Sequence, residues 1–148
     1  MRIILLLALA GGAGWGGGDA VRVWKLSPGR STFAADRQPR NLTLRIERHS
    51  RGEVFTVERT EQDGRSTTDS TVLFLDGEPR DYQDPECRGT QSSQRVDNQT
   101  VEILRTCQAD GWIRVIRRMT TGSELVLEIS GRRPDGRQVQ MRLVLEKQ

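Results

Sequence analysis

Few residues in this chain have the type and spacing that chemistry requires. The single histidine, His49, stands in a turn-like stretch, His49-Ser50-Arg51-Gly52. No nucleophile or second ligand is spaced to make it a general base or a metal site. Asp63, Asp76, Asp110 and Asp135 each adjoin a glycine, where a short acid bonds the local backbone and shapes a turn. That role accounts for them better than acid–base work does. No nucleophile, base and oxyanion donor come together, so no catalytic residue, metal or cofactor is assigned and the chain is read as a non-enzyme. The two cysteines, Cys87 and Cys107, form an even pair. In an oxidising compartment they would bridge; two free thiols are the alternative. A bridge would close a loop of about twenty residues, which the chain-entropy model values at about 3 kcal/mol.

The elements that must position these residues are strands. In the last third, Val101, Ile103 and Leu104 lie in one run, Ile113, Val115 and Met119 in the next, Leu125, Leu127 and Ile129 in a third, and Val139, Met141, Leu143 and Leu145 in a fourth. Alternation of apolar and polar side chains marks a sheet wetted on one face. Ala109-Asp110-Gly111, Thr121-Gly122-Ser123 and Pro134-Asp135-Gly136 supply hairpin turns. Upstream, Val21 to Leu26 opens the sheet, Leu42, Leu44 and Ile46 alternate strictly, and Phe55 and Val57 follow. Ser66 to Leu75 is a polar strand with an apolar end. Residues 27 to 39 form a long connection with Phe33 as a plug, and residues 78 to 94 read as an irregular loop holding at most a short strand. Eight to ten short strands joined by hairpins predict an all-β, antiparallel up-and-down barrel, with a sandwich as the alternative.

Parity along those strands places Trp24, Phe33, Phe55, Phe74, Leu125, Leu127, Met141 and Leu143 on the barrel interior, where they would form the ligand-binding wall. An eight-stranded barrel is just wide enough to be filled by side chains or to hold one small ligand, and both remain open here. Arg142 falls out of phase and should face solvent, with stacking on Trp24 as the alternative. Trp112 and Ile116 also fall on the outer face, where exposure would mark a partner surface; a Trp at a hairpin end packing under a loop is the commoner alternative.

Composition narrows the class. The 148 residues suit one domain with its own core, residues 21–148. There are 21 Arg and 2 Lys against 20 acidic residues. The two signs alternate, as in Arg45-Ile46-Glu47-Arg48, instead of forming the basic patch that nucleic-acid binding uses, so no nucleic acid is expected. Met1-Arg2, the apolar run Ile3 to Ala10 and the small-residue stretch to Ala20 have the pattern of a signal peptide over residues 1–20, with the cleavage site open. A buried first strand is the alternative. The apolar run falls well short of the roughly twenty residues a membrane-spanning helix needs.

Several short pieces, in order, resemble small exported bacterial lipocalin-like proteins. They are Trp24-Lys25-Leu26-Ser27, Arg30-Ser31-x-Phe33, and Pro39 leading into Leu42-Thr43-Leu44-Arg45-Ile46-Glu47. Phe74-Leu75-Asp76-Gly77-Glu78-Pro79 through Tyr82 is similar to that family's FDGKxYP turn. Asp97 to Val101 is similar to its DxxTV turn, and Leu145-Glu146-Lys147-Gln148 to its C-terminal YEKQ. The resemblance implies a calycin barrel, lipocalin-like or fatty-acid-binding-protein-like, that holds an apolar ligand. Two departures matter. Arg22-Val23-Trp24 stands where lipocalins carry Gly-x-Trp, and Leu143-Val144-Leu145 stands where fatty-acid-binding proteins carry the Arg-x-Tyr that holds a carboxylate. The expectation is therefore an exported monomer, periplasmic or secreted, with a small hydrophobic or lipid-like ligand in the barrel. A ligand-free structural or interaction barrel of the cell envelope, acting through loops such as 78–94, is the alternative.

Overall fold

The computed structural model describes residues 20–34 and 38–148. Residues 1–19, which hold almost all of the expected export signal, lie outside the described residues.

The described residues form ten strands: β1 (Val23–Leu26), β2 (Asn41–His49), β3 (Gly52–Thr60), β4 (Ser66–Leu73), β5 (Arg80–Gln83), β6 (Arg88–Asp97), β7 (Thr100–Thr106), β8 (Trp112–Thr121), β9 (Glu124–Arg132) and β10 (Gln138–Lys147). All pair antiparallel in one sheet of order β4-β3-β2-β1-β10-β9-β8-β7-β6-β5. Sequence neighbours are ladder neighbours everywhere except between β4 and β5. First and last strands meet, with Trp24 opposite Lys147 and Leu26 opposite Leu145, which curls the sheet into a barrel. Between β4 and β5 the ladder is interrupted, so the complete closure expected from the hairpin pattern does not occur. One bridge, Asp76 with Gln94, and the bonds Gly77 N–H to the Ser93 carbonyl (2.8 Å) and Gln91 Nε2 to Thr71 Oγ1 (2.9 Å) tie the two edges. β4 is polar along most of its length, which suits an edge that must not recruit another strand.

The stretch expected to be an irregular loop is a hairpin, β5–β6. Its inward residues are Tyr82, Gln91, Ser93 and Arg95, so the apolar alternation that reveals a strand is missing. Gly89 sits where an added Cβ would lie 1.9 Å from the Thr106 carbonyl oxygen, which explains a glycine inside β6. Cys87, just before β6, is bonded to Cys107, just after β7, and fastens the open end of that hairpin.

Inward residues build the core by cross-strand pairing. Leu143 faces Leu127, Leu145 faces Leu125, and Trp24 faces Leu44. Trp24, Leu44, Ile46, Leu73, Leu125 and Leu145 are removed from solvent altogether. The Trp24 indole N–H donates to the Ala20 carbonyl at 3.0 Å, so its one polar atom is satisfied. After β1 a single 3-10 turn, Pro28–Arg30, leads to Thr32, whose backbone exchanges two hydrogen bonds with Arg142. That clip holds Phe33 against one end of the barrel.

Candidate ligand cavity

The barrel is not filled. A cavity of about 390 Å³ opens inside it, within the range of small-molecule sites. One wall is apolar and comes from the strands with clean alternation: Leu42 and Leu44, Phe55 and Val57, Ile103, Val115, Leu127 and Ile129, Met141 and Leu143, with Phe33 at the end. The other wall is polar and comes from β4, β5, the turn after β5, the far end of β3 and one residue of β7. It presents Thr67, Asp69, Thr71, Tyr82, Asp84, Glu86, Arg59, Glu61 and Arg105.

The polar wall is internally bonded. Arg105 Nε donates to Gln91 Oε1 at 2.9 Å, and its guanidinium carbon lies 4.4 Å from the Tyr82 ring centre. The Tyr82 hydroxyl donates to Asp84 Oδ2 at 2.6 Å, and the same oxygen lies 3.9 Å from Arg105 Nη1. Burial pushes the Tyr82 phenol well above its ordinary value; Arg105 opposes this and the carboxylate of Asp84 adds to it. Asp84 Oδ1 accepts the backbone N–H groups of Glu86 and Cys87, each at 2.7 Å, and so shapes the turn at the cavity end. Arg59 Nε donates to Glu61 at 2.5 Å.

A second charged group lies further along the interior. Inward residues of β3 run Glu53, Phe55, Val57, Arg59, and only the last three reach the cavity. Glu53 instead meets Arg117 of β8 at 2.7 Å and Arg95 of β6 at 3.5 Å. Arg117 Nη1 is buried and makes no hydrogen bond. Burial pushes the Arg117 guanidinium below its ordinary value, and Glu53 opposes that shift.

Of the residues expected to line the interior, Phe33, Phe55, Leu127, Met141 and Leu143 border the cavity. Trp24 and Leu125 are fully buried core and do not reach it. Phe74 is a correction. Leu73 takes the inward position, so Phe74 is out of phase and lies with Arg80 and Arg51 at 3.9 and 5.0 Å from its ring centre. His49 Nδ1 accepts the Arg51 N–H at 3.0 Å, a turn contact. Arg142 is exposed as expected, and it is Arg22, not Arg142, that lies 5.7 Å from the Trp24 ring centre. Trp112 is partly exposed.

Sequence reasoning missed Glu53, Arg59, Tyr82, Arg105 and Arg117. The signal was present in parity: Glu53 is in phase with Phe55, Arg105 with Ile103, and Arg117 with Val115. A charged side chain on a half-wetted strand ordinarily faces solvent, which masks those that do not. Among the described residues no group of three or more His, Cys, Asp or Glu side chains is placed to hold a metal, and no helix is long and apolar enough to cross a membrane.

No family model and no curated protein matches the chain. Solved structures do. A fatty acid binding protein of Schistosoma mansoni, in complex with arachidonic acid, superposes with a TM-score of 0.61 at 11% identity, over 88% of this chain and 96% of that one. EF1p2_mFAP2b bound to DFHBI superposes with a TM-score of 0.53 at 11% identity, over 92% of this chain and all of the other. At that identity the likeness is one of architecture: the chain has the fold of the fatty-acid-binding-protein-like calycins, an all-β antiparallel barrel of ten strands.

Proposed function

We propose that this chain is an exported, non-catalytic carrier of the lipocalin-like kind, holding one small hydrophobic or lipid-like molecule inside the barrel. The observation that carries the proposal is the cavity of about 390 Å³ with one apolar wall. Filling it with an apolar chain would remove that wall from water, at about 25 cal/mol per Å² of apolar surface. The architecture is shared with a protein seen with arachidonic acid, which supports a barrel used as a container. The disulfide between Cys87 and Cys107 supports export, because such bonds persist in oxidising compartments. A monomer, bacterial in origin and periplasmic or secreted, completes the proposal.

The test is native mass spectrometry of the protein purified without detergent, followed by solvent extraction and titration with Nile red. One co-purifying hydrophobic molecule, or saturable dye binding at one site, is expected. An empty protein that binds no dye would leave the envelope-interaction barrel as the better account. Export is tested separately by fusing residues 1–20 to alkaline phosphatase, which should be active only if the segment is translocated.

A further inference from the structure

Both arginines that the described residues bring to the cavity wall, Arg59 and Arg105, are already engaged by the protein's own side chains, and the buried charges beyond the cavity are drawn together in the same way. Arg117 has Glu53 at 2.7 Å, and the same carboxylate lies 3.5 Å from Arg95. Arg59 has Glu61 at 2.5 Å. Arg105 is held by Gln91 and lies 3.9 Å from Asp84. The cavity wall itself carries two guanidiniums, Arg59 and Arg105, and four carboxylates, Glu61, Asp69, Asp84 and Glu86. A fatty carboxylate entering this space would find the two guanidiniums of the described wall already engaged, Arg59 by Glu61 and Arg105 by Gln91 with Asp84 nearby, and would bring its charge beside those carboxylates. Uncharged polar side chains also border the cavity, among them Thr71 and Tyr82, whose hydroxyl oxygens keep hydrogen-bonding capacity beyond their contacts with Gln91 and Asp84.

We infer that the ligand is a neutral amphiphile, an apolar chain ending in hydroxyl or ester groups, and that the charge arrangement of the polar wall discriminates against the corresponding carboxylate. The inference rests on the carrier reading and specifies its ligand class. The apolar chain lies against Leu127, Met141 and Leu143, and the head group meets the Thr71 and Tyr82 side. Asp84 and Glu61 are the specificity-determining residues, because each occupies an arginine that an anionic head group would otherwise use. Like charges brought together in such a site cost enough to separate the two ligands by about tenfold or more.

The experiment is displacement of Nile red from the full chain by monolaurin and by laurate, at a pH where laurate is ionised. Monolaurin should bind at least about tenfold more tightly. Asp84→Asn keeps an oxygen for the Glu86 and Cys87 N–H groups while removing the negative charge 3.9 Å from Arg105, and Glu61→Gln removes the negative charge paired with Arg59. Either substitution should improve laurate binding severalfold and leave monolaurin within about twofold. Laurate binding as tightly as monolaurin to the unaltered protein, or a ratio that neither substitution moves, overturns the inference and leaves the carrier reading standing. Displacement by neither lipid, with no dye bound, removes both.

Discussion

The Glu53 carboxylate and the Arg117 guanidinium meet at 2.7 Å across the barrel interior, with their side chains only 4% and 3% exposed. They come from β3 and β8, which share no ladder, so the contact joins opposite walls. Arg95, itself partly exposed, approaches the same carboxylate, so one buried acid stands between two bases. Such a pair adds little stability over well-packed apolar side chains, since taking two ions out of water offsets their attraction. Breaking it is a different matter, because the surviving charge has no water to turn to.

Glu53→Gln should therefore cost about 3–5 kcal/mol of unfolding free energy, with two guanidiniums left facing a neutral amide. Replacing both members, Glu53→Leu with Arg117→Met, should recover most of that loss. Urea denaturation followed by tryptophan fluorescence measures both. A single substitution that costs less than about 1 kcal/mol would show that water reaches the pair.

The covalent tie acts on the unfolded chain instead. Cys87 and Cys107 are separated by 20 residues. For a loop of that length the entropic model gives about 3 kcal/mol, so Cys87→Ser with Cys107→Ser should lower stability by roughly that amount and leave the fold intact. The turn at Asp84 to Glu86 borders the cavity and loses its neighbouring anchor, so faster dye release from the double variant is also expected. Equal midpoints for the oxidised protein and the variant would show the bond to be stabilising nothing.

How far the sequence reveals this arrangement depends on which wall is considered. Leu42, Leu44 and Ile46, and later Leu125, Leu127, Leu143 and Leu145, alternate with polar residues because one side of each strand faces the core and the other faces water. Their positions were legible for that reason. The polar wall reverses the rule: Gln91, Ser93, Arg95 and Arg105 point inward, and the β5–β6 hairpin therefore reads as loop. Phe74 shows the complementary failure. Its apolar side chain suggested an inward position, whereas Leu73 is the buried residue and Phe74 stacks on Arg80. Pairings such as Glu53 with Arg117 depend on which strands oppose each other across the barrel, which no local pattern encodes.

Acid should weaken the fold in a defined direction. The Arg80 guanidinium holds the Asp76 carboxyl well below its usual range, helped by the Glu78 backbone N–H. The Arg65 backbone N–H lowers Asp63, the Gln99 N–H lowers Asp97, and the Thr120 hydroxyl with Arg30 lowers Glu124. Each group takes up its proton less readily when folded than when unfolded. Their stabilisation is thus complete above the unfolded pKa, near 4, and is lost progressively as pH falls below it. All four are surface groups, so salt should flatten the dependence. Denaturation midpoints between neutral pH and pH 3, with and without added salt, measure this; Asp76→Asn should show a shallower acid limb. A midpoint that rises on acidification would contradict the assignment.

Trp24 and Met141 separate core from wall. Trp24 is completely buried and its indole N–H is satisfied by Ala20, yet it does not reach the cavity. Trp24→Ala should accordingly cost about 3–5 kcal/mol, a large share of the roughly 5–15 kcal/mol that holds an ordinary domain folded. Met141 borders the cavity beside Leu143 and is only partly buried, so there is space in front of it. Met141→Trp directs a larger ring into that space, and it should weaken Nile red or monolaurin binding by at least tenfold while shifting the denaturation midpoint little, since filling a void forces less rearrangement than overpacking a dense core. The two variants make opposite demands on the protein, one on folding and one on ligand. If Met141→Trp bound as well as the unaltered chain, the molecule would have to sit elsewhere than against β9 and β10.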